Sequence, residues 1–335
     1  MTHFPSDLTV SIIIPVHNGG DKFRKCLLSV KALRTPPKEV IVVEDGYSDG
    51  TWKLAEKFDM HVVKRPVSGG PARARNLGAH HAKGDLLLFI DADVTIPNDM
   101  IEQVVKPFQD DPGLDALIGS YDDKPFESNF LSQYKNLLHH YVHQISNRDA
   151  YTFWGACGAI RRDVFLKIGG FDKRYRRPSI EDIDLGYRLK KSGYKIHLFK
   201  HIQVKHLKHW GILSLLRADF FYRALPWTDL ILKEGRIIDD LNLKWSSRIS
   251  VMAVFILPLT IIGSMFTPWL LILSTFILAV VFGLNWDLYR FFKDKRGLCF
   301  AVKTIPWHWF YFFYSGLAFS IGFTKYKIKR LDING

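Results

Sequence analysis

A long stretch in the last third of the chain carries no formal charge. It covers residues 249–286, which is 38 residues in succession. One helix of that length would extend about 57 Å, far beyond the roughly 30 Å hydrocarbon core of a bilayer. Pro268 offers a place to turn, so the sequence predicts a hairpin of two membrane-spanning helices, at about 247–266 and 268–286. A buried helix of a soluble protein is the alternative.

A second hydrophobic segment, residues 298–324, contains a single charged residue. Basic clusters lie on both sides of it, within 290–296 and 325–330, and each fits the cytoplasmic flank of a span by the positive-inside rule. Both cannot be cytoplasmic if the segment crosses once, so a re-entrant or interfacial element is the alternative to a third span. We therefore predict a membrane region over 246–335 with two or three hydrophobic segments.

Residues 206–245 mix bulky apolar and aromatic side chains with basic ones. This pattern is typical of amphipathic helices that lie in a membrane interface, although helices packed on a soluble domain show it too. The amino terminus, residues 1–7, has no basic or apolar export signal. We therefore expect an integral protein of the inner or plasma membrane whose polar part, residues 1–205, is cytoplasmic.

The chain has 46 Lys and Arg against 33 Asp and Glu, which gives a formal net charge of +13. Such an excess suits nucleic acid, anionic lipid or a phosphorylated substrate. Because the chain has hydrophobic segments, membrane lipids and nucleotide phosphates are the expected partners, and nucleic acid is not. The three cysteines are scattered and form no CxxC pair, so neither a disulfide framework nor a zinc site is expected.

Strand and helix patterns alternate through residues 8–95, and residues 97–150 read as helices and connections. The predicted strands are 8–15, 39–43, 60–63 and 85–90, and the predicted helices are 21–31, 50–58 and 71–81. This βαβ order predicts an α/β fold with a mostly parallel sheet flanked by helices. No GxGxxG motif follows the first strand, which excludes a dinucleotide oxidoreductase. The hydrophobic segments are too few for a transporter.

Two acidic pairs mark the polar part of the chain. Asp91 and Asp93 follow the apolar strand that ends at Ile90, and Glu181-Asp182 comes about 90 residues later. An open α/β sheet binds its ligand at the carboxyl ends of its strands, and acids two residues apart can hold a divalent cation. A plain strand-end turn and an acidic first turn of a helix are the alternatives. Together the pairs predict a metal-held diphosphate and a catalytic base.

Five segments occur in an order that resembles glycosyltransferase family 2, the inverting enzymes of the GT-A fold that take a sugar from a nucleotide donor. The resemblance covers residues 9–205. Its segments are Val10–Pro15 with Asn18, Val42–Thr51, Gly70–Ala79, Asp91–Asp93, and Gly169–Asp172 followed by Glu181–Leu185. It implies a GT-A catalytic domain over 1–205 and a donor of the UDP or GDP type.

The resemblance also implies how the donor is held. The residues that would bind the nucleotide are Pro15, Val16, Asn18, Asp45, Arg73, Arg75 and Asp91. Asp45 would accept a hydrogen bond from the base, and the arginines would face the diphosphate. Glu44 stands where the family often has Asp, and Gly19-Gly20 where it commonly has an acid, so the identity of the base stays open.

A cation and a base complete the implied catalytic site. Asp93 would bind Mg²⁺ or Mn²⁺ directly, with Asp91 and His206 as further ligands. Asp182 would take a proton from the acceptor hydroxyl, and Glu181 would orient it.

The acceptor pocket is expected near a Trp-Gly pair and a basic segment. Its predicted residues are Trp154, Gly155 and Arg177, the last within a candidate lid at 173–178. His139, His140 and His143 include a pair one helical turn apart, but no HExxH acid accompanies them. We expect these histidines on a solvated or lipid-adjacent helix face.

Together these features predict a membrane-anchored inverting glycosyltransferase of cell envelope glycans. It would move a sugar onto a hydroxyl of a lipid-linked or glycan acceptor by metal-assisted single displacement. A polyprenyl-phosphate hexose synthase, whose acceptor phosphate needs no base, is one alternative. A non-catalytic nucleotide-binding membrane scaffold is an alternative of another class, although the presence of Arg75, Asp93 and Asp182 argues against it. The chain has no Gln-x-x-Arg-Trp motif, which disfavours a processive polysaccharide synthase.

Overall fold

The structure is a computed structural model that describes residues 8–46 and 50–334, with side chains up to residue 330. Residues 1–7, on which the expectation about export rests, and Tyr47–Asp49 of the motif at 42–51 lie outside the described part. The chain divides into two compact units, Met1–His209 and Trp210–Gly335. All described strands belong to the first unit.

An eight-stranded sheet forms the centre of the first unit. Its strands are β1 (Val10–Val16), β2 (Glu39–Asp45), β3 (His61–Arg65), β4 (Leu86–Ile90), β5 (Val94–Thr95), β6 (Ala116–Tyr121), β7 (Cys157–Arg161) and β8 (Ile196–His206). Their order across the sheet is β3-β2-β1-β4-β7-β6-β8-β5. Strands β1 to β4 are parallel and so are β6 and β8, whereas β7 and β5 are antiparallel to their neighbours. The predicted α/β fold with a mostly parallel sheet is confirmed.

Helices pack on both faces of this sheet. In the described part of the first unit they are α1 (Gly20–Lys31), α2 (Thr51–Lys57), α3 (Pro71–His81), α4 (Met100–Asp110), α5 (Phe130–Ile145), α6 (Arg162–Lys167) and α7 (Glu181–Lys191). Side chains alternate along β1, so that Ile12 and Ile14 join the core beneath α1 and α4 while Ile13 joins the core beneath α3, α6 and α7. Both faces of β1 are therefore buried, as a central parallel strand requires.

Two predictions for residues 97–150 are wrong. The segment contains the fully buried strand β6, which pairs with β7 and β8. His140 and His143 of α5 are buried rather than solvated, because each Nδ1 donates to a carbonyl oxygen of β6, that of Tyr121 at 2.7 Å and that of Gly119 at 3.1 Å. Burial lowers the pKa of His143 to about 4, so this ring is neutral at physiological pH.

The second unit is helical. Its helices are α8 (Ile212–Arg217), α9 (Leu225–Glu234), α10 (Trp245–Gly263), α11 (Leu270–Leu284), α12 (Trp286–Arg296) and α13 (Leu298–Asn334), with a π-helical turn at Ala218–Ala224. Two buried polar contacts join the hairpin: Ser274 Oγ donates to Thr260 Oγ1 at 2.9 Å, and Asn285 Nδ2 donates to Ser250 Oγ at 3.0 Å. Such bonds between apolar helices fix their register.

Among the described residues, α10 is the one helix that is by itself long and apolar enough to cross a membrane. Helix α11 reaches that length only together with α12, across a bend of 56°. Residues 298–324 lie within α13, which passes Pro306 without a break. One helix, or two if the bent pair forms a single span, therefore suits a bilayer.

Asn76 ties α3 to the turn that contains Gly169-Gly170-Phe171. Its Nδ2 donates to the Phe171 carbonyl at 2.7 Å, and its Oδ1 accepts from the Phe171 amide at 2.8 Å. Gly170 has a φ of +67°, and a Cβ there would collide with Asn76. The asparagine and the glycine pair, two motifs far apart in the sequence, thus form one brace.

We predict that Asn76→Ala lowers the free energy of unfolding by about 2–4 kcal/mol, because it leaves a buried amide and a buried carbonyl without partners. Chemical denaturation of the protein in detergent measures this loss, with Asn98→Ala, at an exposed asparagine, as control. A loss smaller than about 0.5 kcal/mol, the range of a surface substitution, would contradict the brace.

Candidate active site

One buried arginine joins the two acidic pairs. Arg75, in the second turn of α3, donates from Nη2 to Asp91 Oδ1 at 2.6 Å and from Nη1 to Glu181 Oε1 at 2.9 Å. Its side chain is 5% exposed, and it packs 5.3 Å from the Phe171 ring centroid. A Cβ on Gly155 would lie 2.8 Å from the guanidinium carbon, so only glycine leaves room for this arrangement. The two acidic segments, far apart in sequence, therefore meet at one point.

The carboxylates around Arg75 keep the guanidinium charged although it is buried. Burial alone would lower the pKa of Arg75, but the carboxylates of Asp91, Glu181 and Asp182 raise it instead, so the guanidinium stays charged. Burial raises the pKa of Asp91, and the Arg75 charge offsets only part of that effect. The cluster thus holds a permanent cation among three acids.

Asp182 has a different environment from its neighbour Glu181. Its Oδ2 accepts from the Gly155 amide at 3.1 Å and its Oδ1 from the Ile183 amide at 2.8 Å. Burial and the Glu181 charge raise the pKa of Asp182 to about 6. Glu181 is engaged on both oxygens, by Arg75 and by the Ser179 amide at 2.8 Å. Asp182 is therefore the carboxylate suited to exchange a proton near neutral pH.

Asp93 and His206 lie side by side because β5 and β8 pair. Val94 stands opposite His206, and the Leu207 amide donates to the Asp93 carbonyl at 2.8 Å. His206 Nε2 lies 3.7 Å from Asp93 Oδ2. Burial opposes ionisation of Asp93, but the His206 ring and the charges of Lys208 and Lys22 outweigh it and lower its pKa to about 2. The Asp93 side chain is a permanent anion.

This pair suits a divalent cation. A carboxylate oxygen and an imidazole nitrogen are donors that Mn²⁺ and Mg²⁺ accept, and such ions are commonly held by one or two protein side chains plus substrate phosphates. No group of three His, Cys, Asp or Glu side chains that could hold a metal ion occurs in residues 8–46 and 50–330. The pair therefore fits an ion that completes its coordination with a ligand, rather than a closed structural site.

The Asp45 carboxylate caps the start of α3. It accepts from Arg65 Nη1 at 2.7 Å, from Ser68 Oγ at 3.0 Å and from the Gly70 amide at 2.8 Å. The Gly69 amide contacts both of its oxygens, at 3.0 and 3.1 Å. A carboxylate offers about four acceptor positions, so these donors occupy Asp45 in this structure. A hydrogen bond from a base to Asp45 stays a prediction.

The other predicted nucleotide and acceptor residues differ in their exposure. Val16 is buried at the end of β1 and Pro15 is half-buried, whereas Asn18 is exposed with a φ of +53°. Arg73 Nε donates to the Lys173 carbonyl at 3.2 Å, which ties the basic segment 173–178 to α3. Arg177, within that segment, is exposed.

Several side chains at the site were missed from the sequence. Arg65 and Ser68 bind Asp45, and Tyr121 stacks on His206 with ring centroids 4.3 Å apart. Tyr121 also contacts Trp154 edge to face, with centroids at 4.8 Å. The signal that was available is the apolar run ending at Tyr121, which marks the strand end of β6.

Comparison with protein families gives two matches. The model of "Glycosyl transferase family 2" matches residues 11–169. A second model, described as "N-terminal domain of galactosyltransferase", matches residues 138–210. Together they span residues 11–210, which include all the site residues described above.

Two relatives illustrate the similarity of sequence. The chain is 28% identical over 222 residues to the pre-mycofactocin glycosyltransferase of Mycobacterium tuberculosis (strain ATCC 25618 / H37Rv), an alignment that covers 62% of this chain and 45% of the relative. It is 27% identical over 195 residues to the poly-beta-1,6-N-acetyl-D-glucosamine synthase of Staphylococcus aureus (strain MW2), covering 56% and 47%. The chain thus spans about half the length of these relatives.

A solved structure shows the same fold. The mannosyltransferase PcManGT from Pyrobaculum calidifontis, in complex with GDP-Man and Mn²⁺, superposes with a TM-score of 0.57 at 16% sequence identity, covering 93% of this chain and 87% of the other. At that identity the likeness concerns the fold.

We predict that Arg75→Met lowers the free energy of unfolding by about 3–5 kcal/mol, since it leaves the buried Glu181 and the half-buried Asp91 without their cation. Arg75→Lys keeps the positive charge but loses the planar guanidinium that donates to two carboxylates at once. It should therefore lower the free energy of unfolding by a smaller amount. Adding Asp91→Asn and Glu181→Gln to Arg75→Met should recover part of the loss. Thermal and chemical unfolding measure these effects, with the exposed Arg34→Met as control. If Arg75→Met unfolds like the Arg34 variant, the bridge does not stabilise the site.

Proposed function

The chain belongs to glycosyltransferase family 2, and we propose that it transfers a sugar from a nucleotide-sugar donor to a hydroxyl of a lipid-linked acceptor, with inversion. The observation that carries this proposal is the Arg75 bridge, which brings Asp91 and Glu181 to the two ends of one guanidinium. Asp93 and Asp182 are neighbours of those two acids in sequence. A single sugar bound beside Arg75 would therefore have Asp93 on the side of its diphosphate and the base Asp182 on the side of the acceptor.

The basic side activates the acceptor. Asp182 accepts the proton of the acceptor hydroxyl as the oxygen attacks the anomeric carbon, and the Gly155 and Ile183 amides hold the carboxylate in place. Glu181, held by Arg75 and the Ser179 amide, keeps Asp182 next to a fixed negative charge. Burial, together with that charge, raises the pKa of Asp182 and makes it a stronger base than an isolated aspartate. A base on one face and a leaving group on the other give single displacement with inversion.

The opposite side carries the leaving nucleoside diphosphate. Asp93 and His206 are the residues that would hold Mg²⁺ or Mn²⁺, which supplies positive charge where the diphosphate departs. Asp91, two residues before Asp93, pairs with Arg75 and so ties the guanidinium to the strand end that carries Asp93. The mannosyltransferase of the same fold was solved with GDP-Man and Mn²⁺, which supports a donor of the UDP or GDP type.

The acceptor class is inferred from the second unit. Helix α10 is long and apolar enough to cross a bilayer, and basic residues flank the hydrophobic helices at 290–296 and 325–330. A catalytic unit attached to such helices meets acceptors confined to the membrane. We propose a cytoplasmic catalytic unit at the inner or plasma membrane that acts on a lipid-linked glycan of the cell envelope.

A donor screen tests this function. The protein in detergent, with Mn²⁺ or Mg²⁺, should release free nucleoside diphosphate from one of the UDP-, GDP- or dTDP-sugars, faster when a lipid-linked acceptor is added. Asp93→Ala should abolish the release, and the exposed Asp110→Ala should not. No release from any of these donors, or full activity in Asp93→Ala, would refute the proposal.

Asp182→Asn distinguishes a hydroxyl acceptor from a phosphate acceptor. A hydroxyl needs a base, so kcat should fall by roughly 10²–10⁴-fold while donor binding remains. A lipid phosphate is already ionised at neutral pH, so a variant with nearly full kcat would point instead to a polyprenyl-phosphate hexose synthase.

We predict that kcat/KM rises with pH through about 6 and then levels off, because Asp182 acts only when deprotonated and its pKa is raised to about 6 from an ordinary value of 3.8. Activity is therefore lost as the pH falls below about 6. A pH profile of nucleoside diphosphate release measures this limb, with unfolding followed at each pH as control. A limb centred near 4 would mean that the base is not Asp182.

A further inference from the structure

An aromatic ring lies flat against the histidine of the Asp93 pair. Tyr121, the last residue of β6, is 9% exposed. Its ring centroid is 4.3 Å from that of His206, and the two ring planes differ by 9°. This contact covers one face of the imidazole, whose Nε2 is 3.7 Å from Asp93 Oδ2. None of the interactions assigned to the reaction above uses Tyr121.

Strand register produces the stack. β6 and β8 are parallel, with Tyr121 opposite Val204. His206 comes two residues after Val204, so it lies on the same face of β8 and diagonally beside Tyr121. On the other side of β8, β5 pairs Val94 with His206. His206 is thus enclosed between an aromatic ring on one neighbouring strand and the Asp93 segment on the other.

Tyr121 is held in place by contacts with three neighbouring side chains. Its ring contacts His139 of α5 and the edge of Trp154, with centroids at 4.8 Å in both cases. Its carbonyl oxygen accepts from His140 Nδ1 at 2.7 Å. A ring fixed at its backbone and at two edges is a rigid surface, so it can fix the orientation of the imidazole that lies on it.

We propose that Tyr121 is a positioning residue that holds the plane of the His206 ring and so directs Nε2 toward a divalent cation beside Asp93. This inference rests on the metal-assisted function proposed above. An imidazole can rotate about its χ2 bond, and a rotated ring would point Nε2 away from Asp93. The face of Tyr121 restricts that rotation, as outer contacts of a metal-binding histidine commonly do.

Mn²⁺ binding tests the proposal without relying on turnover. Free Mn²⁺ is measured by electron paramagnetic resonance while MnCl₂ is titrated into the full-length protein in detergent, with UDP or with GDP. Tyr121→Leu removes the ring face and should weaken Mn²⁺ binding roughly 10–100-fold. Tyr121→Phe keeps the ring and should stay within about twofold. Asp93→Ala, which removes a proposed ligand, should lose binding altogether.

Two controls separate positioning from general damage to the fold. Tyr134 is another buried tyrosine of the first unit, 1% exposed on α5, and Tyr134→Leu should leave Mn²⁺ affinity unchanged even if it lowers the unfolding temperature. If Tyr121→Leu does not fold, Tyr121→Met replaces it, since Met fills similar volume without a flat face. In the electron paramagnetic resonance signal of bound Mn²⁺, the modulation by a coordinated nitrogen reports binding by His206. This modulation should disappear in the ring-free variant, which is Tyr121→Leu or its replacement Tyr121→Met.

The possible outcomes separate the role of Tyr121 from the metal-assisted function on which that role rests. If the wild-type protein binds Mn²⁺ and Asp93→Ala does not, but Tyr121→Leu binds as tightly as wild type, the role of Tyr121 is refuted and the metal site stands. If Tyr121→Phe is as weak as the ring-free variant, the hydroxyl rather than the ring face acts, which also refutes the stack. If wild type binds no Mn²⁺ with either nucleotide, the metal-assisted function itself fails.

Discussion

The Arg75 guanidinium holds two acidic segments, about 90 residues apart in the sequence, at one point of the fold. A charge buried to this degree is tolerated only when it is paired and hydrogen-bonded, and Arg75 is paired twice, with Asp91 and with Glu181. The surroundings conform to it: Gly155 leaves space beside the guanidinium and Phe171 covers it. Asn76, the next residue of α3, bonds the backbone of Phe171 and so fixes the same arrangement from the helix.

Two aspartates close in sequence to the acids that Arg75 binds have their pKa values shifted in opposite directions. Asp93 has its pKa lowered to about 2 beside His206 and two lysines, and Asp182 has its pKa raised to about 6 by burial and the charge of Glu181. Identical side chains thus become a permanent anion and a base that works near neutral pH, through their environments alone. That division matches a transfer reaction in which one side of the site neutralises a departing diphosphate while the other removes a proton.

Much of the first unit could be predicted from the sequence, because β1 to β4 alternate with helices in a local pattern of apolar residues. β6 could not, because it lies among helical segments and pairs with strands far away along the chain. The buried histidines of α5 were misjudged for a related reason, since their partners are carbonyl groups of that same strand.

The site residues could be collected from motifs, but their partners could not. Arg75 was expected to face a diphosphate, and the structure shows it engaged by two carboxylates of the protein. Asp45 was expected to receive a base, and here it caps the start of α3. Such pairings depend on which strand ends and turns meet in space. Asp93 and His206 meet only because β5 pairs with β8.

We propose that Arg75 makes Asp91 and Glu181 parts of one catalytic unit. A double-mutant cycle on kcat/KM with Asp91→Asn, Glu181→Gln and the double variant measures this coupling. We expect the two substitutions to be coupled by at least about 1 kcal/mol, while Asp91→Asn combined with the exposed Asp110→Asn is additive. Additivity of the Asp91 and Glu181 variants within about 0.3 kcal/mol would contradict it.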